Sequence, residues 1–263
     1  MAQTRPARPL GSPAIRINAM FDIHCHMLPA VDDGATDWET AEAMARIAAG
    51  DGIKHVVCTP HANDRYVYDR AAHQARVDEF TARMDGRITF SLGCDFHFSF
   101  ENITDALASP DRYLISGSDY LLVEFSDFSL APQTLDTLRR FLAMGITPIV
   151  THPERNPILQ RTPNLVLQMV EVGCAVQVTA NSLTGHWGEN SRRVCHWLLD
   201  REAVHIVASD AHDTRHRPPV LSPAVRHISS AYGKDRARAL TTENPAAVVH
   251  GSPLPYFPPP VRG

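Results

Sequence analysis

The chain has 263 residues, 44% hydrophobic and 21% charged, values ordinary for a folded globular domain, and its length suits one large domain. Its 25 basic and 29 acidic residues leave a net charge of −4 with no block of like charge, so nothing in it forms an electrostatic footprint for nucleic acid. No apolar run nears the ~18 residues of a membrane span. The five cysteines, Cys25, Cys58, Cys94, Cys174 and Cys195, are odd in number, widely spaced and free of any CxxC pair, which reads as reduced, cytoplasmic usage rather than a disulfide framework.

The opening MAQTRPARPLGSPAIRINAM carries arginines but no apolar h-region, so it does not read as a signal peptide. Residues 1–19 are expected to be a disordered extension. Residues 20–250 read as one domain in which β-prone apolar runs alternate with helical patterns. Strands are expected at 21–26, 54–59, 88–93, 120–125, 147–151, 174–179 and 204–208. The first helical stretch, TDWETAEAMARIAAGDG, has an N-cap at Thr36 or Asp37 and ends in Gly50 and Gly52. APQTLDTLRRFLAMG and NLVLQMVEVG end on Gly145 and Gly173 in the same way, and NSRRVCHWLLDRE has a helical apolar period. Seven βα units with buried strands predict a parallel α/β fold, either a closed barrel or an open doubly wound sheet. The proline-rich tail 251–263 can form neither helix nor central strand and reads as an appendage.

The residues at the carboxyl ends of the strands carry the chemistry. His24 and His26 lie in the first, His61 comes after the second, Asp95 after the third, and Glu124 ends the fourth. His152 comes after the fifth, and Asp210 and His212 after the seventh. In parallel α/β folds the carboxyl ends of the strands line one mouth, where ligands bind. Each signal has an ordinary explanation. HCH could be a chance pair among 14 histidines. The Asp32-Asp33-Gly34 loop could be a plain turn, His61 a surface histidine, and Ser209-Asp210 a helix cap. Glu124 ends the apolar run LLVEF, where a carboxylate is costly unless paired or on a metal. Such ordinary causes do not account for metal-ligand residue types at the ends of six of seven expected strands. On a strand of period two, His24 and His26 share one face and Cys25 takes the other, packing as a small apolar side chain.

Cysteine-based phosphate chemistry has one candidate by spacing, Cys195 with Arg201. The intervening HWLLD lacks glycine and fits a helix, so it offers no backbone cradle for phosphate. There is no GxSxG elbow and no GxxxxGK[ST] loop. Imidazoles and carboxylates without thiolate suit manganese, iron or zinc in a working site.

DIHCHMLPAVDDGA, CTPHA, LLVEFS, TPIVTHPER and VASDAHDTRHRPP together resemble the polymerase-and-histidinol-phosphatase (PHP) superfamily. The likeness is greatest to its branch of bacterial capsule and exopolysaccharide protein-tyrosine phosphatases. The resemblance implies a distorted seven-stranded β/α barrel with three metal ions in its mouth. By motif, His24, His26 and Asp210 would bind the first, Glu124 and His152 the second, and Asp33, His61 and His212 the third. Asp95 stands where the family usually has a bridging glutamate, and His97 shares its strand face. Arg155 and Arg217 match the family's phosphate-clamping arginines.

The activity so implied is hydrolysis of a phosphate monoester by in-line attack of a hydroxide held between metals, manganese being favoured. The substrate would be a phosphotyrosine protein, a tyrosine kinase that controls polysaccharide export. Alternatives on the same barrel are a histidinol-phosphate or other small-molecule phosphatase, or a phosphodiesterase. A non-catalytic metal-binding domain is the alternative from another class.

Overall fold

A computed structural model describes residues 19–262 of the chain, so the expected N-terminal extension lies outside the described residues apart from its last position. The strands are β1 (Met20–Cys25), β2 (Ile53–Cys58), β3 (His61–Ala62), β4 (Thr89–Leu92), β5 (Asp95–His97), β6 (Tyr120–Glu124), β7 (Thr147–Thr151), β8 (Ala175–Thr179) and β9 (Ile206–Ala208). Each expected strand is present within two residues of its predicted bounds. All pairings are parallel, in two sheets ordered β1-β2-β4 and β3-β5-β6-β7-β8-β9.

The second and third expected strands each resume after a break in a further short strand, β3 and β5, beyond the expected bounds. Between β2 and β3 lies Thr59-Pro60, where proline lacks the N–H a ladder needs. Between β4 and β5 lies Gly93-Cys94, and a Cβ at Gly93 would sit 2.9 Å from Val57 Cγ1. Gly93 N still donates to Cys58 O at 2.8 Å and Asp95 N to Pro60 O at 3.1 Å, so the two broken strands run together from one sheet into the other. On the far side β1 meets the segment after β9: Asp210 N donates to His24 O and His26 N to Ala211 O, each at 2.8 Å. The result is a parallel α/β fold of two linked sheets.

The helices are α1 (Trp38–Asp51), α2 (Arg70–Arg83), α3 (Phe100–Ala108), α4 (Thr134–Ala143), α5 (Pro157–Arg161), α6 (Asn164–Glu171), α7 (Ala180–Leu183) and α8 (Gly188–Asp200), after which come shorter C-terminal turns and the helix Ser222–Tyr232. The α1 cap is Asp37, whose carboxylate accepts from Thr40 N at 2.8 Å. It ends at Gly52, left-handed at φ 98°, and buries Ala41, Met44, Ala45 and Ala48.

Two apolar layers result from strand alternation. Leu121, Val123, Val150, Val176, Val178 and Val207 face the helices. Ile23, Val57, Leu122, Ile149, Ala175, Ile206 and Ala208 fill the space enclosed by the sheets. On that enclosed face each strand changes character toward its carboxyl end: Leu122 is followed by Glu124, Ile149 by Thr151, Ala175 by Gln177 and Ala208 by Asp210. An apolar floor therefore carries a polar mouth. β1 has a register irregularity between Asp22 and Cys25, which lets Ile23 join the floor while His24 reaches the mouth.

The proline-rich tail has no regular structure, as expected, but it packs against the domain. Asn244 Nδ2 donates to Tyr256 O at 2.7 Å, Val261 N to Arg201 O at 2.8 Å and Arg262 Nε to Glu171 at 2.6 Å. Phe257 stacks on buried His205, with ring centroids 4.3 Å apart. This strap covers the end of the sheets opposite the polar mouth.

Candidate metal centre

The mouth is built first by the path of the chain after β1. The chain turns back at 32–35 and lies on His26: Ala35 N donates to His26 O at 3.1 Å. Gly34 makes this possible, because a Cβ there would fall 2.0 Å from His26 O. The turn sets Asp32 and Asp33 to different tasks. Asp32 accepts from His26 Nδ1 at 2.8 Å, from Gly34 N at 3.0 Å and from His61 N at 3.2 Å. It orients His26 and leaves the Nε2 of that ring free. Asp33, half-exposed, reaches His61 Nε2 at 3.4 Å and His212 Nε2 at 3.5 Å.

His24 is oriented from the opposite side, Nδ1 lying 3.0 Å from Gln177 Oε1. The Nε2 atoms of His24 and His26 then meet at 3.3 Å, and each is 3.5 Å from Asp210 Oδ1. Cys25 is fully buried in the helix-facing layer, its thiol toward Ala211 O at 3.8 Å and pushed well above its ordinary pKa by burial. Cys195 is buried within α8, and all five cysteines are free and buried. The thiols take no part in the mouth.

Asp95 occupies the centre. Its carboxylate is fully buried, and neither oxygen has a hydrogen-bond partner. Around Oδ2 stand His61 Nδ1 at 3.1 Å, His24 Nε2 at 3.6 Å and His26 Nε2 at 3.9 Å. Glu124 lies 3.7 Å from His152 Nε2 and 3.8 Å from His61 Nδ1. Ligand atoms fall within 4.8 Å of one another in four groups: His26, Asp33, His61 and His212; His24, Asp95 and His152; His24, His26 and Asp210; His61, Asp95 and Glu124. The nine residues singled out in the sequence as ligands are all in these groups, with His24, His26, His61 and Asp95 each in two. His97 is in none of them, though its Nδ1 lies 3.7 Å from Glu124.

The electrostatics fit a cation. Burial alone would suppress the imidazolium of His24, but Asp95 and Asp210 outweigh it and lift its pKa to about 9. Against the same burial, the nearby carboxylates of Asp33 and Asp95 lift His61 to about 11. Asp33 is held well below the usual carboxylate range by His212 and His61. His212 falls to about 4 through burial and the neighbouring His26, and His152 well below its ordinary value through burial and Arg155. Asp33, Asp95 and Asp210 thus demand positive charge among imidazoles. A buried carboxylate with no hydrogen bond to either oxygen is costly unless a cation satisfies it. The residues present fit divalent metal.

Two ligand candidates sit in strained backbone. His152 has φ 32° and Asp210 φ 50°, two of five non-glycine positive-φ positions among the described residues. Each such position costs ~1–3 kcal/mol and persists where surrounding structure enforces it. Here His152 N donates to Gln177 O and Asp210 N to His24 O, both at 2.8 Å. Ser209, which could have capped a helix, instead binds the buried Asp22 carboxylate through both its N–H and its hydroxyl.

Arg155 and Arg217 converge on Asp210 Oδ2, Arg155 through Nη1 and Arg217 through Nη2 at 2.6 Å. Beside them a cavity of about 300 Å³ is lined by Glu124, Phe125, His152, Arg155 and Trp187. Sequence reasoning misses Asp32 as the support of His26, Gln177 as that of His24, and Trp187. The only signal for Asp32 is its place next to Asp33; Gln177, inside an apolar strand, is a further one.

The sequence matches the capsular polysaccharide synthesis family CpsB/CapC over residues 20–250. The chain belongs to the CpsB/CapC family. Its relatives include the tyrosine-protein phosphatase YwqE of Bacillus subtilis, 32% identical across 91% of this chain and 95% of that protein. The tyrosine-protein phosphatase CpsB of Streptococcus pneumoniae is 26% identical across 88% of this chain and 98% of its own. A crystal structure from work on YwqE and this CpsB, described as metal-dependent tyrosine phosphatases, superposes with a TM-score of 0.86. It is 31% identical and covers 93% of this chain and 100% of its own. A phosphotriesterase homology protein from Escherichia coli, 13% identical with a TM-score of 0.57, shares the fold alone. The stretch of this CpsB/CapC chain that matches the family takes in both sheets and every residue of the mouth.

Proposed function

We propose that the protein is a metal-dependent protein-tyrosine phosphatase. The observation that carries this reading is Asp95, a buried carboxylate with no hydrogen bond to either oxygen, ringed by imidazoles of which His24 and His26 also face Asp210, the carboxylate that takes both arginines. The metal-dependent tyrosine phosphatases among its relatives support it. We read the two linked sheets as one distorted seven-stranded barrel, each broken strand counted once.

Three divalent ions suit the donor groups: the first on His24, His26 and Asp210, the second on Glu124 and His152, the third on Asp33, His61 and His212, with Asp95 shared. Manganese is favoured, and iron or zinc suit the same donors. When bound, the metals supply Lewis acidity and a water of lowered pKa as nucleophile. The chain's own residues do the rest. Arg155 and Arg217 bind the phosphoryl oxygens through guanidinium N–H groups left over from Asp210. Asp32 and Gln177 fix the ring orientations of His26 and His24. A tyrosine leaving group, pKa ~10, requires less protonation than an alkoxide. The partner would be a phosphorylated tyrosine kinase of polysaccharide synthesis in the cytoplasm. No helix among the described residues is long and apolar enough to cross a membrane.

The test compares turnover of a phosphotyrosine peptide, histidinol phosphate and bis(p-nitrophenyl) phosphate by the manganese-loaded protein. Preference for the peptide is expected. Preference for histidinol phosphate or for the diester would move the substrate class while leaving the metal site.

A further inference from the structure

Arg155 and Arg217 are like charges that meet on one carboxylate oxygen. Asp210 anchors one edge of each guanidinium and leaves their faces to be supported. The indole of Trp187 lies against both: Arg155 Cζ is 4.0 Å from its ring centroid and Arg217 Cζ 5.2 Å. Trp38 and Trp197 also carry an arginine, Arg83 at 4.3 Å and Arg201 at 4.0 Å, but one each, away from the mouth. Arg217 Nε is buried without a partner, a donor that Asp210 does not use.

The loop that presents Trp187 is built for the purpose. Gly185 and Gly188 flank it at φ 86° and 84°, in the left-handed region that favours glycine. His186 N donates to Asn181 O at 3.0 Å and Gly188 N to Gly185 O at 3.0 Å, closing a tight turn between α7 and α8. This turn is tied to the segment that carries Arg155. Glu154, fully buried, accepts from Thr179 N at 2.9 Å and Ser182 Oγ at 2.7 Å. Gln160 Nε2 donates to Glu154 O at 2.7 Å and to Ser191 Oγ at 3.2 Å. Arg155 and the ring that supports it therefore belong to one rigid unit, and Trp187 also lines the cavity beside Arg155.

We propose that Trp187 is the positioning residue of the arginine clamp: its indole face holds Arg155 and Arg217 together so that both address the same phosphoryl group. This rests on the phosphatase reading for its substrate, but its primary readout does not. The experiment is calorimetric titration of inorganic phosphate into the manganese-loaded full chain, for wild type, Trp187→Phe, Trp187→Leu and Trp187→Ala, with metal content and kcat and KM on a phosphotyrosine peptide measured alongside.

Losing the aromatic face should weaken phosphate binding about 5- to 30-fold in the Leu and Ala variants, at unchanged metal content. Phe should stay within about 3-fold of wild type, since it keeps a π face. The peptide KM should rise more than kcat falls. Phosphate binding equal to wild type in Trp187→Leu would overturn the proposal, because bulk alone would then suffice. Loss in Trp187→Phe as large as in Trp187→Ala would also overturn it, by assigning the effect to the indole N–H. Wild type that binds phosphate with this Trp187 dependence but hydrolyses no phosphotyrosine would sink the phosphatase reading and keep the clamp.

Discussion

At the scale of single residues the mouth separates groups that face the ligand space from groups that aim them. Asp32 and Asp33 are neighbours in sequence and differ in task, because one accepts from His26 Nδ1 and the other faces His61 and His212. A metal-facing imidazole donates its other N–H to a carboxylate or carbonyl in this way, and loss of that support costs ~10–100-fold in metal affinity. Asp32→Ala should therefore weaken manganese binding by about that factor, measured by competition with a chelating dye. Asp32→Asn, which still offers an oxygen to Nδ1, should recover much of it. Equal affinity in wild type and Asp32→Ala would show that His26 needs no such support. The ligand types themselves were legible in the sequence, since strand-end histidines and carboxylates are conspicuous. Their mutual distances were not: that Glu124 lies 3.7 Å from His152 and 3.8 Å from His61 depends on side-chain reach across strands that sequence spacing does not encode.

Elements were legible where local chemistry fixes them. Of the expected caps Thr36 and Asp37 the structure uses Asp37, and of Gly50 and Gly52 it stops α1 at Gly52. The alternation of His24, Cys25 and His26 also holds. It fails one residue earlier, where the irregularity in β1 turns Ile23 inward, and a bulge leaves little trace in sequence. The break at Thr59-Pro60 was marked by its proline, whereas Gly93 was expected inside a strand, and that two sheets would form there depends on pairing between distant strands. Gly34 is a sharper case. The Asp-Gly pair suggested a turn, but only the packed loop shows that a methyl group would collide with His26 O. Gly34→Ala should push the loop off His26, costing ~1–3 kcal/mol and lowering Tm by roughly 3–10 °C. It should also weaken metal binding, because Asp32 and Asp33 move with the loop. An unchanged Tm in a calorimetric scan would mean that the loop is not locked there.

Over the whole molecule, the end opposite the mouth serves stability. His205 is fully buried under Phe257 of the tail strap, and its Nδ1 accepts from Val176 N at 3.1 Å. Burial, aided by Arg236, lowers its pKa from 6.5 to about 3. The unfolded chain thus binds a proton at this histidine that the folded chain refuses. Its contribution is full above pH 6.5 and is lost as pH falls toward about 3. His205→Gln keeps an acceptor and cannot titrate. Relative to wild type, urea unfolding of this variant should show a pH slope shallower by up to ~1.4 kcal/mol per pH unit across that window. Identical slopes would place the acid sensitivity elsewhere.

The chemistry of this molecule belongs to metal held by the mouth and not to the cysteine between two of its histidines. The most direct measurement is phosphotyrosine-peptide hydrolysis by metal-stripped and manganese-reconstituted protein, in wild type, Cys25→Ser and His24→Ala. Activity should vanish on stripping, return with manganese in wild type and Cys25→Ser, and fail to return in His24→Ala. Activity that survives stripping and disappears in Cys25→Ser would contradict the claim.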